Sequence, residues 1–109
     1  MRQAAQLLAP TAAATSDATL FTSAAATVTI MRHVRVCNTS GSAQTFSIGI
    51  GGTAATAANC IAKDQSVPAN TSVDLFGYYV LPASTAVHAL ASATSVTFEI
   101  GGDLSVAGG

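Results

Sequence analysis

Apolar and small polar residues alternate along most of this chain, in short runs closed by turn-forming clusters. Between Val67 and Leu104 those clusters are Pro68-Ala-Asn70, Leu81-Pro82-Ala-Ser84, Ala93-Thr-Ser95 and Gly101-Gly102. Alternation with period two places every second side chain on one face of a strand, so each run buries one face and wets the other. The pattern predicts strands over 18–23, 27–37, 44–50, 59–63, 71–76, 78–81, 86–91 and 95–101. Such strands, joined by polar, Gly-rich connections, predict an all-β antiparallel two-sheet sandwich of jelly-roll or immunoglobulin-like kind, with seven or eight short strands.

The run 27–37 is the most instructive. Val28, Ile30, Val34 and Val36 share one face, with Thr27, Thr29, Met31, His33, Arg35 and Cys37 on the other. Arg32 interrupts the apolar face. A bulge near Met31 and Arg32 would restore the pattern, because one extra residue re-aims the side chains that follow. Otherwise the strand crosses from core to rim, or Arg32 is buried and paired. Elsewhere Phe46, Ile48 and Ile50, then Val73 and Leu75, then Val96, Phe98 and Ile100 mark inward positions, with Thr97 and Glu99 outward. The strand carrying Val73 and Leu75 is expected to end at Gly77, and alternation sends Tyr78 and Tyr79 to opposite faces. The small-residue stretch 51–58 reads as a flexible loop. Residues 1–16 show no sustained periodicity and read as an Ala-rich arm, disordered or ordered by a neighbouring subunit. Gln3 to Ala9 offers two helical turns before Pro10, too few to be stable alone. The sandwich domain then spans 17–109.

Composition narrows the function classes. Only 8% of the 109 residues are charged and the formal net charge is -1. Soluble proteins usually spread both charge signs over their surface, so a chain this poor in charge reads as one built to sit against other protein, the alternative being a small Thr/Ser-rich extracellular β-module, a class also poor in charge. Arg2, Arg32, Arg35 and Lys63 are too few for the basic stripe that nucleic acid demands. No apolar run approaches a membrane span. Gln3, Gln6 and Pro10 break up the apolar stretch that a signal peptide needs. Cys37 and Cys60 read as free thiols in a reducing cytoplasm rather than as a disulfide framework.

Candidate chemistry is sparse. His33 and Cys37 share a predicted strand face, but four residues along a strand span about 13 Å, beyond the reach of one zinc ion. Asp17, Asp64, Asp74, Glu99 and Asp103 fall in five separate segments, so no carboxylate pair is written into the spacing. Gly49-Ile-Gly-Gly52 lacks the Lys and the strand–turn–helix context of a phosphate loop. No catalytic residue, cofactor or metal is expected. Asn38-Thr-Ser40 and Asn70-Thr-Ser72 match the glycosylation pattern, but turn chemistry explains both Asn residues better. Phe76, Tyr78 and Tyr79 form the aromatic cluster, where an exposed Tyr suits a protein interface or a sugar.

The order Leu20-Phe21-Thr22, Val34-Arg-Val-Cys-Asn38-Thr-Ser40, Phe46-Ser-Ile-Gly-Ile50, Val67-Pro-Ala-Asn70, Leu75-Phe-Gly77 with Leu81, and Ser95-Val-Thr-Phe98-Glu99-Ile-Gly101 resembles a pattern of small virion proteins of tailed bacteriophages. The resemblance covers about residues 18–104 and rests on core and turn positions. It departs at Pro82-Ala-Ser-Thr85, where that group has an acid or a Gly-Asp turn. It implies a β-sandwich virion component, foremost a capsid decoration (cement) protein that stabilises the assembled shell, made and folded in the host bacterial cytoplasm. Its partners would be other virion proteins, the major capsid protein first, and further copies of itself, a trimer favoured. Gln3, Leu7 and Leu8 of the arm and Tyr78 and Tyr79 are the candidate interface residues. A tail, neck or baseplate subunit is the alternative within this class. A carbohydrate- or receptor-binding module is the alternative outside it.

Overall fold

The computed structural model describes residues 2–25, 28–51 and 59–105. These form β1 (Arg2–Ala12), β2 (Ala18–Thr22), β3 (Val28–Asn38), β4 (Gln44–Ile50), β5 (Cys60–Val67), β6 (Thr71–Leu81), β7 (Ala86–Ala91) and β8 (Val96–Ser105). Antiparallel pairs β1–β8, β2–β7, β3–β6 and β4–β5 make one long folded hairpin. The pairs β3–β8 and β4–β7 then roll that hairpin into two sheets, ordered β1-β8-β3-β6 and β2-β7-β4-β5. Of the two sandwich arrangements that the strand pattern allows, this winding is the jelly roll. Where the hairpin passes from one sheet to the other it stays bonded. The Ala13 N–H donates to the Val96 carbonyl at 2.7 Å, and the Ala91 N–H donates to that of Ala14 at 3.0 Å.

The core lies between the sheets, as alternation requires. Val96, Phe98 and Ile100 of β8 meet Phe46 and Ile48 of β4, with Val87, Ala89 and Ala91 of β7 beside them. The Phe46 and Phe98 rings pack edge to face, 5.9 Å between centroids. Asn38 closes the end of β3 as a buried polar hub. Its amide donates to the carbonyls of Ser42 (2.8 Å), Val67 (3.1 Å) and Pro68 (3.2 Å), and its Oδ1 accepts from Ser40. Turn chemistry therefore occupies this Asn fully. Asn70 takes a left-handed φ of 53° in the turn before β6.

Three sequence expectations need correction. Residues 2–12, read as part of an arm that is disordered or ordered by a neighbouring subunit, form β1 and pair with β8 of the same sandwich. Two register irregularities, at Gln6/Leu8 and Leu8/Thr11, scramble the period there, and tertiary pairing outweighs the helix preference of Ala, Gln and Leu. The strand expected to stop at Gly77 instead runs on to Leu81 as a single β6. In β3 the bulge falls where the pattern asked for it, between Met31 and His33, and Arg32 is exposed. Its consequence differs from the expectation, because Met31 joins the core cluster while Ile30 is buried outside that cluster, and parity flips after Arg32 to bring in Val34 and Val36. Gly102, opposite Met31, permits the close approach, since a Cβ there would run into the Ile30 carbonyl oxygen. The expectation of a flexible loop over 51–58 falls mostly outside the described residues.

Candidate functional site

The strand parity of the β1-β8-β3-β6 sheet turns most of the chain's charge onto one outer face. Arg32, His33 and Arg35 of β3 stand beside Asp74 of β6 on one side and Glu99 and Asp103 of β8 on the other. His33 Nε2 lies 2.8 Å from Asp74 Oδ1, and Arg35 Nε donates to the same oxygen at 3.2 Å. The His33 bond first, then the Arg35 guanidinium, holds the Asp74 carboxyl below the usual carboxylate range. Arg32 reaches Asp103 at 3.3 Å and lies over the Tyr78 ring, 5.9 Å from its centroid. Gln6 donates to Glu99 at 3.1 Å. Arg32 and Arg35 are thus each paired with a carboxylate of the chain, Asp103 and Asp74, while Glu99 accepts from the neutral Gln6 amide.

The same face carries the large apolar side chains that water reaches. Phe76 is 75% exposed, Tyr78 58% and Val80 54%, all along β6, and Val28 of β3 is exposed as well. The Phe76 ring stacks on His33 at 4.8 Å, so the His33–Asp74 pair stiffens one end of this strip. Asp74 accepts two hydrogen bonds and His33 is sandwiched between Asp74 and Phe76, which orders the face and leaves the pair engaged. Between β1, β3 and β8, where Gly101 and Gly102 contribute no side chains, lies an open depression of about 600 Å³ bordered by Gln6, His33, Arg35 and Glu99.

The opposite outer face is different in kind. On the β2-β7-β4-β5 sheet Ser47 and His88 are buried. Ser47 Oγ accepts from the Asp64 N–H at 2.9 Å, and His88 Nδ1 lies 3.2 Å from Asp17 Oδ2. Two His–carboxylate pairs therefore form from residues that sequence spacing scattered. Among the described residues no group of three His, Cys, Asp or Glu gathers as a metal site, and no helix is long and apolar enough to cross a membrane. Cys37 and Cys60 carry free thiols on different sheets.

The residues expected at an interface are dispersed. Gln3 lies on β1 opposite Leu104, and Leu7 and Leu8 are half-buried against the core. Tyr78 points outward and Tyr79 inward, as alternation required, with Tyr79 packed on the core. Phe76 and Val80, which sequence reasoning left out of the interface, join Tyr78 once β6 is seen to continue past Gly77. Unbroken alternation of Asp74, Phe76, Tyr78 and Val80 was the signal available for them.

No family model matches the sequence, and no curated protein matches it. Solved structures match in fold. A chain in the structure of the infectious bursal disease virus Gx strain superposes with a TM-score of 0.52 at 18% identity over 95% of this chain. A chain in the T13 viral particle of the same virus superposes with a TM-score of 0.51 at 13% identity over 94% of it. This chain spans about a third of the length of those viral chains, 32% and 30%.

Proposed function

We propose that this chain is a structural protein of a virus particle, docked in many copies on an assembled shell as a capsid decoration (cement) protein of a tailed bacteriophage. One observation carries the reading: large exposed apolar side chains and most charges are gathered on a single sheet face, with Arg32 and Arg35 paired to Asp103 and Asp74 within the chain. A face of that kind suits a block meant to be covered by protein. The jelly-roll likeness to chains of a viral particle supports a virion role, and the sequence resemblance supports the phage and decoration role. The division at residue 16 then separates an edge strand, β1, from the seven strands β2 to β8.

The mechanism is linkage. A protein that binds the assembled lattice and not the free shell subunit shifts assembly by mass action, by about 2.7 kcal/mol per site at a hundredfold excess over Kd. The partner is the major capsid protein. The purified chain is expected to co-sediment with undecorated shells, and particles lacking it are expected to lose integrity sooner under heat and osmotic shock. Absence of binding together with undiminished particle resistance would overturn the reading.

A tail, neck or baseplate subunit differs from this in copy number, small multiples of three or six instead of hundreds. A carbohydrate- or receptor-binding role is favoured by one observation, the exposed Phe76 and Tyr78 beside Asp74 and Arg32. That role requires glycan binding that Tyr78→Ala abolishes.

A further inference from the structure

We infer that β6 is a self-pairing edge through which two copies of this chain join into one continuous sheet. Four strands end the two sheets: β1 and β6 in one, β2 and β5 in the other. Three of them carry the features that keep edges from pairing. β1 has Pro10 and two register irregularities. β5 has Lys63, Asp64 at a φ of 50°, and two irregularities. β2 is five residues long and irregular. β6 is eleven residues long, with no Pro, no Lys and a single charge, Asp74, already held by His33 and Arg35. Its one register irregularity, between Phe76 and Tyr79 against β3, leaves the alternation of Asp74, Phe76, Tyr78 and Val80 unbroken. Among the described residues no strand pairs with its far side.

Both faces of this edge are apolar. Phe76, Tyr78 and Val80 stand exposed on the outer face, while Val73, Leu75 and Tyr79 on the inner face are only half-buried. The three outer side chains alone offer roughly 350 Å² of apolar surface, the size of a functional patch. Edge-to-edge pairing covers the backbone edge and the flanks of these side chains, which places the interface in the small, transient class below about 1,200 Å². The occupant is a second copy because the edge complements itself. A two-fold axis at Gly77 sets each Phe76 against Tyr78 of the other copy, an aromatic cross-strand pair on each side of the axis. The bordering charges are neutralised within each chain, so a neutral strip meets a neutral strip. This pairing is independent of whether a shell is the eventual partner.

Sedimentation equilibrium of the purified chain from about 2 to 200 µM tests it. A concentration-dependent dimer, twice 10.8 kDa, is expected. Phe76→Lys and Tyr78→Lys, both on exposed positions, should each weaken it at least tenfold with melting temperature retained. Thr19→Lys on the other flank should leave it unchanged. A monomer throughout, a trimer, or equal weakening by Thr19→Lys would overturn the inference. So would a monomer that nevertheless loses shell binding on Phe76→Lys, which would assign the strip to the shell and leave the virion reading standing.

Discussion

β5 and β6 are consecutive strands that end the two sheets on the same flank, yet they meet solvent in opposite ways. β5 is bent by two irregularities, and at the first of them, at Lys63 and Asp64, it folds over Ser47, whose hydroxyl takes the Asp64 N–H. β6 is long and regular in its alternation, and shows water Phe76, Tyr78 and Val80. An edge interrupted by bulges and charges resists a new strand, whereas an edge like β6 invites one. Two edges on one flank, one closed and one open, give the block a direction. A sandwich guarded at every edge would have no preferred neighbour.

The largest expected effect comes from the residue that ties the two strands together. Asn38 is fully buried and donates to the carbonyls of Val67 and Pro68, at the connection from β5 to β6. Asn38→Ala removes the donor shared by three carbonyls, that of Val67 buried, and should cost about 3 kcal/mol in denaturant unfolding. A loss below about 1 kcal/mol would mean that the flank is held elsewhere. Next is Ser47→Ala, which removes the acceptor that holds the β5 bulge. It should cost about 1–2 kcal/mol and speed amide exchange at Asp64, with β6 amides unaffected.

The smallest effect is on the β6 side and depends on pH. A carboxylate held below its usual range in the folded chain adds stability that is fully present above the ordinary carboxylate range. That stability is lost as pH falls through the lowered folded value. Asp74→Asn should therefore be slightly less stable than the parent at neutral pH, with the gap closing below about pH 4. A gap that widens in acid would show that Asp74 does not carry the His33 and Arg35 contacts in solution.

Much of the fold could be read from residue order, and the failures share a cause. Val96, Phe98 and Ile100 were legible because β8 keeps strict alternation through its core half. The β3 bulge was legible because Arg32 cannot sit on an apolar face unpaired. β1 was not, because two irregularities and Pro10 leave no period to read, and only pairing with β8 makes Ala- and Gln-rich sequence extended. The candidate face was half legible. Tyr78 stood out, but the assumed break at Gly77 hid its alignment with Phe76 and Val80. The His33–Asp74–Arg35 cluster was beyond reach, since its members are 39 and 41 residues apart and meet only through the β3–β6 register.

The central claim, that this sandwich is a part of a virus particle, is tested most directly by counting it there. Quantitative mass spectrometry of purified particles from cells expressing this chain should find it in hundreds of copies per particle, in fixed ratio to the major shell protein. Its absence from purified particles, with the chain recovered in the soluble fraction, would contradict the account.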